Sequence, residues 1–142
     1  MSTSTSTKKV INVAFVNATD RTITMQTVTA GNFLKECYAL IGNDCTVMDL
    51  VRHDTLGDVW VDEEGLLKPN VFFALRYGDQ LVPYAGNAVL SGHNYHGDTV
   101  DTSVTIEQLT NEVVFGELLR FNGELLFRDT DTGQVHRMEH LQ

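Results

Sequence analysis

Basic residues are scarce in this chain. Its 142 residues hold 10 Lys and Arg against 19 Asp and Glu, a formal charge of −9. Nonspecific binding to nucleic acid needs basic side chains to neutralise phosphates, so this balance argues against it. The same argument sets aside an anionic membrane surface. Cysteine is as scarce. Cys37 and Cys45 are too few for a disulfide scaffold and read as buried thiols in a reducing cytoplasm. No apolar run is long enough to span a bilayer. Residues 1–9 lack the hydrophobic stretch of a signal peptide and read as a disordered polar tail. A nucleophile elbow, a P-loop and a dinucleotide fingerprint are also missing. The expectation is therefore a cytoplasmic protein that is not an enzyme. It has no catalytic residue, no cofactor and no metal.

What is present is ordinary for a globular domain: 42% hydrophobic and 20% charged residues. Residues 10–16 and 22–28 alternate in the manner of strands and flank a polar turn, which predicts a hairpin. Phe33, Leu34, Cys37, Tyr38 and Ile41 recur at helical spacing over residues 32–41, and Gly42 supplies the stop. Residues 45–51 and 58–61 read as a second hairpin. Gly65 closes a turn by tolerating positive φ. Residues 71–77 fit either a helical turn or a strand, and residues 86–90 a strand. Thr105 and Gln108 form a capping box for a helix whose buried face is Ile106, Leu109, Val113 and Val114. Residues 123–128 and 134–138 flank a turn and read as a terminal hairpin. The fold class is α+β: one compact domain, mainly antiparallel sheet, with two helices and a C-terminal hairpin.

Several groups of residues invite chemistry. The stretch from Asp44 to Glu64 holds seven carboxylates, Asp54, Asp58, Asp62 and Glu63 among them, against Arg52 alone. It reads either as an acidic face for a basic partner or as a solvated sheet face that discourages edge pairing. Asp129-x-Asp131-x-Gly133 resembles the start of a calcium loop, but its glycine falls one position early, so a hairpin turn fits better. His93 with His96, and His136 with His140, have the spacing of metal pairs but lack further ligands. Tyr38, Trp60, Phe72, Phe73, Tyr77 and Tyr84 are the aromatics of the middle segment, with Arg52 and Arg76 as local cations. Such residues build a core, or they stack on a base and hold a phosphate.

One further pattern is a resemblance. The helix ends Tyr38-Ala-Leu-Ile-Gly42. Then come Asp62-Glu-Glu-Gly65, Pro69-Asn70 and Gly86-Asn-Ala-Val-Leu90. This order is similar to a family of small domains of unknown function encoded by bacteriophages and bacterial mobile elements. The resemblance covers residues 10–92, with residues 93–142 as an extension of the same domain. The family shows a second glycine where this chain has Asn43. Small acidic phage proteins of this kind are often accessory factors acting against host functions, and the resemblance implies the host bacterial cytoplasm as the setting and two roles. The first is an anti-defence sponge, a homo-oligomer that sequesters a small nucleotide-type immune signal of the host. Tyr38, Trp60, Asn70 and Arg76 are its expected ligand contacts. The second is an acidic inhibitor or nucleic-acid mimic that blocks a host protein through Asp54, Asp58, Asp62 and Glu63. A third and weaker reading is a hydrolase of the signal that uses His93 and His96.

Overall fold

The computed structural model describes residues 9–138, so all of the expected polar tail except Lys9 lies outside the described residues, as does His140. Strands β1 (Val10–Asn17) and β2 (Thr22–Thr29) form the first antiparallel hairpin, in register from Val10 opposite Thr29. A 3-10 turn leads into helix α1 (Phe33–Ile41). Gly42 ends the helix at φ 70°, with its N–H donated to the Tyr38 carbonyl at 2.9 Å. That conformation is open to glycine at no steric cost.

Strands β3 (Met48–His53) and β4 (Gly57–Asp62) make the second hairpin. A 3-10 turn at Gly65–Leu67 follows. Gly65 does not take positive φ. It is glycine for another reason: a Cβ there would stand 3.0 Å from the Cβ of Ala85. Strands β5 (Phe72–Tyr77) and β6 (Gln80–Ala85) pair next, which resolves residues 71–77 as a strand. Strand β7 (Ala88–His93) then inserts between β1 and β4. The short β8 (Thr99–Val100) pairs with the end of β7.

Helix α2 (Ile106–Glu112) begins as its capping box requires: Thr105 Oγ1 accepts the Gln108 N–H at 3.0 Å. It is shorter than the periodicity implies. Val113 and Val114 open β9 (Val113–Phe121), and Ile106 is exposed, so Leu109 alone is buried from the helix. Strands β10 (Glu124–Asp129) and β11 (Val135–Met138) form the expected terminal hairpin.

The strands make two antiparallel sheets, ordered β2-β1-β7-β4-β3 and β11-β10-β9-β5-β6. Alternation along β1 sorts the core. Ala14 and Val16 face the second sheet, where Phe73, Leu75 and Tyr84 meet them. Ile11, Val13 and Phe15 face the other way, under Phe33, Cys37 and Ile41 of α1. The far side of the second sheet has its own small core of Ala74, Val114, Phe127 and Met138. One domain, α+β in class and mostly antiparallel sheet, results. No described helix is long and apolar enough to cross a membrane.

Candidate functional site

The ends of several elements meet in a groove with two limbs. The first limb has a volume of about 560 Å³ and lies between the end of α1, Pro69-Asn70 and Gly86-Asn87. The second has a volume of about 480 Å³ and runs between Arg21, Phe72, Phe115 and Gly116. Thr19, Asn70 and Val71 line both, so the limbs share a wall. Each volume is in the range of small-molecule pockets, roughly 300–1,000 Å³.

Two asparagines hold the first limb in shape. The Asn87 Oδ1 accepts the Ala18 N–H at 2.8 Å, and its Nδ2 donates to the Ile41 carbonyl at 3.2 Å. Asn87 thus ties the β1–β2 turn to the end of α1. The Asn70 Nδ2 donates to the Gly65 carbonyl at 3.1 Å, and its Oδ1 accepts the Val71 N–H at 3.1 Å. A Cβ on Gly86 would stand 3.2 Å from that Oδ1, so the close approach needs glycine. A primary amide has two N–H donors, and in each asparagine one of them is used in these bonds.

Lys68 braces the rim. Its Nζ donates to Asp62 Oδ2 at 2.8 Å, to the Asn43 carbonyl at 2.9 Å and to the Asp44 carbonyl at 3.2 Å. Asn43 and Asp44 both take positive φ, 52° and 57°. Asn and Asp tolerate this region better than other non-glycine residues. The position where the family resemblance implies a second glycine is thus one where the backbone is left-handed. The hydrogen bond to Asp62 raises the Lys68 ammonium above the ordinary lysine range. Among the described residues, the lining of the first limb carries no Lys or Arg. The cation of the groove is Arg21, in the second limb. No described carboxylate pairs with it within 4.0 Å.

The second limb is lined by the half-buried Phe115, with Arg21, Glu117 and Thr130, while Phe72 lines it from a strand position whose ring packs on the far side of the second sheet. Gly116 lines this limb and packs against β10. A Cβ there would collide with the Arg128 carbonyl and the Phe127 ring. Rings suit a flat heterocycle, asparagine amides suit its polar edge, and a guanidinium suits an anionic oxygen.

The structure disperses the residues expected from sequence. Asn70 sits in the shared wall of the groove. Tyr38 is half-buried on α1. Trp60 lies beneath that helix, edge-on to Phe33 with centroids 5.5 Å apart, and its Nε1–H donates to Ser91 Oγ at 2.9 Å. Arg76 is exposed on β5, and its carbonyl accepts a hydrogen bond from His53 Nε2 at 2.9 Å. None of the three lines either limb.

The acidic stretch is not one face either. Asp58 is 2% exposed and Asp62 is 6% exposed. Asp58 pairs with His93 Nδ1 at 2.9 Å and Arg52 Nε at 3.6 Å, while Asp62 pairs with Lys68. Asp54 and Glu63 are exposed. Burial and pairing follow from alternation: Asp58 and Asp62 share a strand face with Trp60, and that face lies on the α1 side.

His93 is therefore occupied by Asp58, and His96 follows in the next turn, where its N–H donates to Asn94. Asp129 Oδ1 accepts the N–H groups of Asp131 and Thr132, the bonding of a turn. No three His, Cys, Asp or Glu side chains gather to hold a metal among the described residues.

Sequence reasoning missed Thr19, Arg21 and Phe115 as groove residues. Thr19 and Arg21 share the β1–β2 turn, far along the chain from Phe115 in β9, and only the sheet topology joins the turn to that strand. The segments that carried the resemblance do converge: Gly42, Asp62, Pro69-Asn70 and Gly86-Asn87 all line the first limb.

No curated protein and no solved structure matches the chain. A family model described as Domain of unknown function (DUF3846) matches residues 11–114. That span includes every residue of the first limb and continues through α2 into the start of β9. The chain belongs to the DUF3846 family.

Proposed function

We propose that this protein is a binding module that captures a small nucleotide-type molecule in the two-limbed groove. One observation carries the reading: the scattered segments of the resemblance converge on a single cleft beside a limb that offers an aromatic ring, Phe115, and a cation, Arg21. The base stacks in the second limb against Phe115. The remaining N–H groups of Asn70 and Asn87 meet polar edges of the ligand. Arg21 takes an anionic oxygen, which offsets the repulsion of a chain with net charge −9. In the phage setting implied by the resemblance, such a module sequesters a signal made by host immunity. The acidic-inhibitor reading draws less support, since two of its four carboxylates are buried in ion pairs.

Calorimetric titration with AMP, cyclic AMP, a cyclic dinucleotide and free adenosine tests the reading. Binding of at least one nucleotide is expected, weaker for adenosine and weakened again by Phe115→Ala in a protein of unchanged circular dichroism. No heat with any of the four, or binding indifferent to Phe115→Ala, overturns it.

A further inference from the structure

The outer edges of the two sheets differ in chemistry. Strand β3 carries Asp49 and Arg52, β6 carries Pro83, and β11 carries His136 and Arg137. Charge and proline are the ordinary means by which sheet edges refuse a further strand. Strand β2 has neither. Its sequence from Thr22 to Thr29 is Thr-Ile-Thr-Met-Gln-Thr-Val-Thr, paired to β1 without a bulge.

The direction of its backbone groups follows from one bond. The Ala30 N–H donates to the Lys9 carbonyl at 2.9 Å, which makes residues 9 and 30 a hydrogen-bonded pair. Antiparallel alternation then turns the N–H and C=O of Ile23, Met25, Thr27 and Thr29 outward, away from β1. The Thr29 N–H is taken by Glu36 Oε1 at 3.1 Å. The open strip is therefore Ile23, Met25 and Thr27. A carboxylate, Glu36, stands at one end and a cation, Arg21, at the other.

We infer that a second copy of this chain pairs with that strip, β2 against β2, antiparallel about a two-fold axis through Met25. One register serves all the outward groups. Met25 lies opposite Met25 of the other copy, and Ile23 lies opposite Thr27. The same register sets Arg21 opposite Thr29 of the other copy, beside the Glu36 carboxylate bonded there. The two-fold axis repeats this Arg–Glu match on the other side. A chain of net charge −9 repels itself, so a self-contact needs a neutral centre and ends of opposite sign. The β2 edge has both. The inference does not rest on the groove reading: no residue of the open strip lines either limb, and Arg21, which lines the second limb, adds only an end charge to the strip.

Sedimentation equilibrium and native mass spectrometry of the full chain test it. The expected result is a species of twice the 15.8 kDa chain mass. Met25→Lys places two like charges face to face and weakens the dimer by about tenfold or more. Met25 is 42% exposed, so the fold tolerates the change, and circular dichroism checks it. A hydrogen-bonded antiparallel pair holds its Cα atoms about 5.5 Å apart, within disulfide reach. Met25→Cys is therefore expected to form a covalent dimer on mild oxidation, whereas Leu34→Cys, exposed on α1, is not. A wild-type monomer at every concentration overturns the inference. So does a dimer that is indifferent to Met25→Lys, or one that cross-links no better through Met25→Cys than through Leu34→Cys.

Discussion

Lys68 Nζ lies 2.8 Å from Asp62 Oδ2, and the same ammonium holds the carbonyls of Asn43 and Asp44. One side chain thus neutralises a buried carboxylate and pins a left-handed backbone at the rim of the groove. Removing it leaves Asp62 buried without its partner, which is costlier than never burying the charge. Lys68→Met is expected to lower Tm by roughly 5 °C or more. The double variant Lys68→Met, Asp62→Leu is expected to recover part of that loss. Thermal melts check both. A single variant as stable as the wild type would mean that the pair does not brace the rim.

The protein is expected to lose stability in alkali. Burial raises the Cys37 thiol to about 12 from 9.0. Burial likewise raises the Tyr77 and Tyr84 phenols above the usual range, and the hydrogen bond to Asp62 raises Lys68. All four folded values lie above the unfolded ones, so the folded chain keeps protons that the unfolded chain loses. Their stabilising effect is complete below about pH 9 and fades above it. The retained Cys37 proton alone makes stability fall by about 1.4 kcal/mol per pH unit over that range. Urea unfolding at a series of pH values from neutral to strongly alkaline measures the slope. A flat profile above pH 9 would contradict it. The same burial predicts that Cys37 resists a thiol reagent in the native state at mildly alkaline pH and reacts once the chain is unfolded.

Gly116 is a steric test of the packing between β9 and β10. Any side chain there meets the Arg128 carbonyl and the Phe127 ring, both within the second sheet. Gly116→Ala is expected to destabilise by about 1–3 kcal/mol through overpacking. Gly31→Ala, with nothing within 4 Å of the new atom and no positive φ, is expected to change stability by less than about 0.5 kcal/mol. Equal effects of the two substitutions in chemical denaturation would contradict the packing described for β9 and β10.

Local patterns were legible where they stood alone. The first hairpin, α1 with its Gly42 stop, the Thr105 cap and the terminal hairpin all follow from periodicity and turn residues. Strand β6 was not legible, because Pro83 argues against a strand interior. The alternation fixed by Gly86 N–H on the Val71 carbonyl points the Pro83 nitrogen to the unpaired edge, where a missing donor costs no ladder bond. Strand β9 was hidden because Val113 and Val114 also fit the helical period of α2. Pairing to β5 and β10 decides the matter, and that pairing is long-range. The candidate site was legible only as short segments of unexplained glycine and asparagine. Their meeting point depends on how β7 inserts between β1 and β4. Trp60 and Arg76 looked like ligand contacts by side-chain type, yet strand alternation sends one under α1 and leaves the other exposed away from the groove.

The most direct measurement is an amide chemical-shift titration of the ¹⁵N-labelled protein with the same nucleotides. Capture in the groove predicts shifts that saturate and cluster at Gly42, Asn43, Val71, Phe72, Asn87 and Phe115, with the Asn70 and Asn87 side-chain amides moving in step. Residues of β11, on the outer edge of the second sheet, are expected to stay still. No saturable shift with any nucleotide, or shifts centred away from the two limbs, would contradict the groove as the binding site.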